Sequence, residues 1–247
     1  MNTPGEKNMT EMKQSDKTLK QLRDLSADFI TTSAEARYSY NFSWLGRPII
    51  QYPQDIVAIQ ELIWNVQPEL IIETGIAHGG SLILSASMLE LNAVCGGPQD
   101  AEVLGIDIEI REHNRQAVEA HPMSKRIRML EGSSIAPEII EEVRAAAHSR
   151  ERILVFLDSN HTHDHVRAEL NAYAPLVSVG SYCVVFDTVI EDMPSDAFPD
   201  RPWGIGNNPK TAVQEFVALH PEFEIDRNLE DKLMITVAPS GYLRRIN

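Results

Sequence analysis

Leu70-Ile71-Ile72-Glu73-Thr74-Gly75-Ile76-Ala77-His78-Gly79-Gly80-Ser81 decides the fold of this chain. A short apolar run ends in an acid, a glycine-rich turn follows, and Leu82, Ala86 and Leu89 then recur at helical spacing. That order is a buried strand, a tight turn, and a helix whose N-terminus can receive an anionic group. A dinucleotide fold would carry Gly-x-Gly-x-x-Gly here, followed by an acid about 20 residues on. This chain instead places glycines at 75, 79 and 80, with its next strand-end acid at Asp107.

Outward from that unit, strands and helices alternate. Leu70–Glu73, Val103–Asp107, Ile127–Leu130, Ile153–Asp158 and Tyr182–Asp187 read as parallel strands. Helices fit between them, most clearly over 137–147 and 163–176. Ile153-Leu154-Val155-Phe156-Leu157 is continuous apolar sequence, as a strand covered on both faces requires. After a proline-marked loop, a helix over 211–219 precedes two expected strands, Phe223–Arg227 and Leu233–Ala238, joined by a short charged turn. The expected fold is α/β: a Rossmann-like, doubly wound, mostly parallel seven-stranded sheet with an antiparallel edge strand and an N-terminal helical extension. Residues 1–17 read as a disordered tail, 18–69 as the helical and irregular extension, and 70–247 as the main domain. Leu19, Leu22, Leu25 and Phe29 mark one helix of the extension and Ile56, Ile59, Leu62, Ile63 and Val66 another, with an aromatic, irregular stretch from Tyr38 to Pro53 between them.

Composition narrows the function. A net charge of −14 over 247 residues argues against nucleic acid and anionic membrane surfaces, which want a basic face. Two cysteines, Cys95 and Cys183, form no disulfide framework and no zinc spacing, and fit a reducing cytoplasm. The polar first twenty residues lack the apolar core of a signal peptide, and no apolar run is long enough to span a membrane.

In doubly wound sheets ligands bind beyond the carboxyl ends of the strands. Glu73, Asp107, Asp158 and Asp187 each close an expected strand, so four carboxylates rim one crevice. Glu73, Gly75, Gly79 and Ser81 read as a cradle for S-adenosylmethionine, with Asp107 on the ribose hydroxyls or, alternatively, capping the next helix. Ser133 and Ser134 follow the third strand and would lie beside an adenine, or form a turn and N-cap before Pro137.

Leu157-Asp158-Ser159-Asn160-His161-Thr162-His163-Asp164-His165 is the densest stretch of chemistry. It approaches the His-x-His-x-Asp-His box of two-zinc hydrolases but is one residue short, and the long opening hairpins of that fold are missing. Asp158 and Asp187 end neighbouring strands, so their carboxylates can share a hard divalent cation such as magnesium, which takes one or two carboxylates plus waters and substrate oxygens. Such a cation would hold a diol and acidify one hydroxyl facing the methyl sulfonium.

Taken together, Glu73–Ser81, Leu157–Val166, Val179–Thr188 and Gly206–Val213 resemble the cephalosporin hydroxylase and rhamnosyl O-methyltransferase family, over the chain from about Tyr38 onward. The resemblance implies a class I methyltransferase fold, S-adenosylmethionine, often magnesium, homo-oligomers, and methyl transfer to a small-molecule or glycan hydroxyl. It implies Gly75 and Ser81 on the methionine part of the cofactor, Asp107 on its ribose, Asp158 at both cofactor and metal, and Asp187 on the metal. A relative has an acid where this chain has Phe186, which leaves Thr188, Glu191 or water as the third ligand. The related catechol-type enzymes place a lysine base three residues after the first metal aspartate, and His161 occupies that position. Trp203, Asn207, Asn208 and Lys210 lie in the loop expected to meet the acceptor, with Asn208 alternatively an N-cap before Pro209. Rival readings are a metal-dependent oxidoreductase on the same residues and a noncatalytic cofactor-binding subunit.

Overall fold

The computed structural model describes residues 4–247, with side chains from Lys17 onward. Helix α1 spans Pro4–Glu35, so helical backbone enters the 1–17 stretch read above as a tail; residues 1–3 of that stretch lie outside the described residues. A 3₁₀ turn at Tyr38–Asn41 leads into a small antiparallel hairpin, β1 (Phe42–Trp44) and β2 (Arg47–Ile49), which the sequence reading did not anticipate. Helix α2 (Pro53–Val66) follows, with Pro53 at its first turn, where the missing N–H costs nothing.

The main sheet is built from β3 (Leu70–Thr74), β4 (Glu102–Asp107), β5 (Ile127–Glu131), β6 (Ile153–Leu157), β7 (Tyr182–Val185), β8 (Phe223–Ile225) and β9 (Tyr242–Arg245). Their spatial order is β5-β4-β3-β6-β7-β9-β8, with five parallel strands and β9 antiparallel to both β7 and β8. The chain winds outward from β3 through β5, returns to β6 on the other side of β3, and so opens a switch point between β3 and β6. Register aligns Thr74 with Ile106 on one side and with Leu157 on the other, and Leu157 with Val185. The acids that follow these strands therefore gather at one edge.

Alternation along β3 divides the core. Leu70 and Ile72 face α5 (Pro137–Ala147), α6 (His163–Tyr173) and α7 (Pro209–Leu219), where Val143, Leu170, Tyr173 and Val213 close the layer. Ile71 faces the opposite way, with Ala58, Leu62, Leu84 and Leu89 of α2 and α3 (Gly80–Val94).

One strand assignment is corrected. Leu233–Ala238 is not a strand: α8 (Arg227–Leu233) replaces the expected charged turn, and the partner of β7 is Tyr242–Arg245. Met234, Ile235, Thr236, Val237 and Ala238 have strand-like composition, but Met234 turns with φ +60° and the following residues are claimed from the side. Buried Asp55 of α2 accepts hydrogen bonds from Thr236 Oγ1 at 2.5 Å, from the Val237 amide at 3.0 Å and from the Tyr242 hydroxyl at 2.8 Å. No described helix is long and apolar enough to cross a membrane.

Candidate active site

The turn after β3 is held by contacts that explain its glycines. Gly75 has φ +89°, and a Cβ there would lie 2.0 Å from the carbonyl oxygen of Asp158. At Gly80 a Cβ would lie 2.2 Å from the carbonyl oxygen of Pro48, so the hairpin rests on the start of α3. Asp107 Oδ2 accepts from the amides of Ile76 (2.8 Å) and Ala77 (3.2 Å), and its Oδ1 accepts from the Glu109 amide. Asp107 does not cap α4 (Glu112–Glu119), whose N-cap is Arg111; it clamps the glycine turn and retains acceptor capacity toward a neighbouring cavity.

Two cavities meet at Gly75 and Ser159. The smaller, about 160 Å³, is lined by Asp107, Ile108, Ser133, Ser134, Asn160 and His165 among others. Ser133 and Ser134 do not cap α5, whose N-cap is Ala136, so they are wall residues. The larger, about 260 Å³, holds Ser81, Asp158, His161 and Asp187 on one side and Tyr40, Gln51 and Tyr52 from the N-terminal extension on the other. Gln51 and Tyr52 escaped the sequence reading, although the aromatic density of the 38–53 stretch was a signal that something packs there.

Asp158, His161 and Asp187 bring one ligand atom each to within 4.8 Å of one another. His161 Nε2 lies 3.2 Å from Asp187 Oδ2, and its ring meets Trp203 edge-on with centroids 4.8 Å apart. Asp187 adopts a left-handed backbone at φ +54°, a conformation Asp tolerates better than most residues and one found at sites that must aim a side chain. Burial, and then the negative charges of Asp187, Glu73, Glu169 and Asp55, hold the Asp158 carboxyl well above the usual carboxylate range. Two oxygen donors and one imidazole in so negative a pocket suit a divalent cation, whose charge would relieve that repulsion.

Several expected site residues stand elsewhere. Thr188 is buried and its hydroxyl donates to the Pro239 carbonyl at 2.7 Å, so His161 rather than Thr188 completes the group with the two aspartates. Glu191 accepts from the Gly206 amide at 2.8 Å and from the Asn208 side chain, bracing the loop and not the metal group. Asn208 is the N-cap of α7 in a capping box with Thr211. Asn207 accepts from the His163 amide and donates to the Pro202 carbonyl, while Lys210 pairs with Asp192. Of the four acceptor candidates only Trp203 reaches the metal group, through its contact with His161. Gly79, the N-cap of α3, has no room for a Cβ against Val118. Glu73 is on neither cavity wall: it lies beneath the turn, bonded to Ser81 and Ser85, with Oε1 unpartnered, and burial raises its carboxyl to about 7. It reaches the cleft only through Ser81.

Comparison with known proteins gives this geometry its context. The family model described as rhamnosyl O-methyltransferase/CmcI matches residues 36–246. A rhamnosyl O-methyltransferase of Mycobacterium bovis BCG is 31% identical over 196 residues, covering 77% of this chain and 73% of that protein. The Mycobacterium leprae protein of the same name is 29% identical over 205 residues, covering 82% of each. A magnesium- and S-adenosylmethionine-bound structure of CmcI superposes with TM-score 0.56 at 18% identity, covering 84% of this chain and 78% of that one. From its sequence, its sheet order and its strand-end acids, this chain belongs to the rhamnosyl O-methyltransferase/CmcI family.

Proposed function

We propose that the protein transfers the methyl group of S-adenosylmethionine to a hydroxyl of a sugar or glycosylated small molecule, with magnesium as the bound cation. As a member of its family it is an S-adenosylmethionine-dependent O-methyltransferase; the sugar acceptor and the metal are the finer part of the reading. The observation that carries it is the pair of cavities joined at Gly75 and Ser159, one with a ribose-type acid and small hydroxyls, the other with Asp158, His161 and Asp187.

In this reading Gly75 and Ser81 flank the methionine part of the cofactor, Asp107 accepts from the ribose hydroxyls, and Ser133 and Ser134 sit beside the adenine. Asp158 and Asp187 would hold the magnesium, which supplies Lewis acidity to an acceptor hydroxyl. His161 takes the proton from that hydroxyl, since a neutral imidazole is a competent base near neutral pH. Trp203 offers an aromatic face to a sugar ring and fixes the plane of His161. Residues 18–69 act as an accessory layer over the catalytic unit 70–247. The free cysteines Cys95 and Cys183 agree with a cytoplasmic setting. The exposed Leu19, Leu22 and Leu25 on α1 agree with a homo-oligomer.

Calorimetry with S-adenosylmethionine, and turnover of rhamnosylated acceptors with and without EDTA, test the reading. Asp107→Ala should weaken cofactor binding by roughly 1.5–3 kcal/mol, the range for a charge-assisted hydrogen bond. Asp187→Ala should abolish metal dependence and most turnover while the cofactor still binds. Full activity in metal-free buffer would remove magnesium from the scheme.

A further inference from the structure

Asp187 follows β7 on a backbone that ordinary strands avoid. A left-handed conformation such as its φ of +54° costs energy in a residue with a side chain, and it persists where the surroundings over-determine it. The surroundings here are one segment, residues 237–241, laid along the end of β7. The Gly241 carbonyl accepts the Val185 amide at 2.8 Å, and the Val237 carbonyl accepts the Val189 amide at 3.2 Å. Between these two, the Pro239 carbonyl accepts the Thr188 hydroxyl at 2.7 Å. On the other side, the Phe186 amide donates to the Leu157 carbonyl at 3.0 Å, which ties this strand end to the one that bears Asp158.

The three carbonyls sit at alternate residues, as the acceptors on one edge of an antiparallel ladder do. Spacing from the flanking pairs assigns the middle carbonyl, Pro239, to the main-chain amide of Asp187. With Asp187 turned left-handed, the Thr188 hydroxyl takes that carbonyl instead. The side chain so bridges a local break in the pairing, the kind of irregularity that re-aims a side chain beside an active site. Thr188 is fully buried, so its hydroxyl has no water as an alternative partner. The supporting segment is itself held firmly. A Cβ at Gly241 would lie 2.1 Å from the Val185 carbonyl oxygen, and Asp55 of α2 fixes the far side through the Val237 amide and the Thr236 hydroxyl.

We propose that Thr188 is a positioning residue for the cation: its hydroxyl holds the left-handed turn that keeps the Asp187 carboxylate beside Asp158 and His161, without itself touching the metal. Removing the hydroxyl returns the Pro239 carbonyl to the Asp187 amide. A backbone that makes that bond straightens, and the carboxylate turns away from its two neighbours. The proposal rests on the reading of Asp158 and Asp187 as the magnesium site, and adds to it the residue that sets the aim of one ligand.

Manganese(II) accepts the same oxygen ligands as magnesium, so it is the probe, titrated alone into the full chain and followed by the paramagnetic resonance of the free ion. The wild-type protein should bind it, and Asp187→Ala should not. Thr188→Val keeps the branched shape but removes the hydroxyl, and should weaken manganese binding by about tenfold or more, the usual effect of losing a group that orients a metal ligand. Thr188→Ser keeps the hydroxyl and should stay within about threefold of the wild type. S-adenosylhomocysteine, titrated with EDTA present, should bind the wild type and both Thr188 variants to within about twofold, which separates a misaimed ligand from a damaged fold. Should Thr188→Val fail to fold, Thr188→Ala takes its place in the comparison. Equal manganese affinity in the wild type and the variant without the hydroxyl overturns the proposal. So does a loss in Thr188→Ser as large as in Thr188→Val, which would mark packing as the cause. Absence of manganese binding by the wild-type protein would instead overturn the metal reading itself.

Discussion

The imidazole of His161 is gripped from two sides, by Asp187 at 3.2 Å and by the Trp203 ring. It stands in the group of possible metal ligands yet also lines the cleft where an acceptor would enter. The two roles leave different signatures. As the base, His161→Ala should lower kcat by about 10²–10⁴-fold with little change in S-adenosylhomocysteine or magnesium affinity. A comparable loss of magnesium affinity, read by titration calorimetry, would move His161 into the coordination sphere. The placement of Asp107, Asp158 and Asp187 at the strand ends was legible in the sequence, because an acid that closes a continuous apolar run falls at the edge of the sheet, and His161 follows from its spacing of three residues beyond Asp158. The structural partners of Thr188, Asn207 and Lys210 were not legible, for the opposite reason, whereas the capping role of Asn208 was. Loop hydroxyls, amides and ammonium groups serve structural hydrogen bonds as readily as ligands, and their partners here, Pro239, His163, Glu191 and Asp192, become visible only in three dimensions.

At the scale of elements, the loop between β7 and α7 depends on a single amide. Asn208 accepts from the Lys210 and Thr211 amides and donates to Glu191 and to the Gly204 carbonyl. Asn208→Ala removes the cap, an effect of about 0.5–2 kcal/mol, and also strips a donor from Glu191. Urea unfolding should show a loss at the upper end of that range, and Asn208→Asp should recover the cap but not the contact with Glu191. A loss below about 0.5 kcal/mol would mean that the box contributes nothing beyond an ordinary loop. The parallel strands were readable from their apolar runs, whereas the C-terminal hairpin was not. Segment 233–238 and strand β9 compete for the same edge on composition alone. The choice is made by Asp55, a residue 181 positions away from Thr236, whose carboxylate draws that segment out of the sheet. The β1–β2 hairpin was missed because its strands have only three residues each and carry no period of two to detect.

For the molecule as a whole, buried acids set how stability responds to pH. Burial raises Glu73 from 4.5 to about 7 and Asp55 from 3.8 to about 6. A carboxyl whose folded pKa is raised stabilises the native state fully below its unfolded pKa, and that contribution is lost as pH rises through the folded value. The contribution from Glu73 should therefore fade between roughly pH 4.5 and pH 7. Glu73→Gln imitates the protonated form, so in urea titrations it should gain on the wild type as pH rises from about 5 to 8, by on the order of 2–3 kcal/mol. A stability difference that stays constant across that interval would show that Glu73 titrates like an exposed acid. At the same scale, the contact of Gly75 with the Asp158 carbonyl leaves no side chain between the turn on which the cofactor would rest and the strand end that would hold the cation. A shift of either would press on the other, and two ligands held there would be coupled through that contact. Whatever factor a bound cation contributed to cofactor affinity, the cofactor would return to the cation, so departure of the spent cofactor would change the hold on the metal by that same factor.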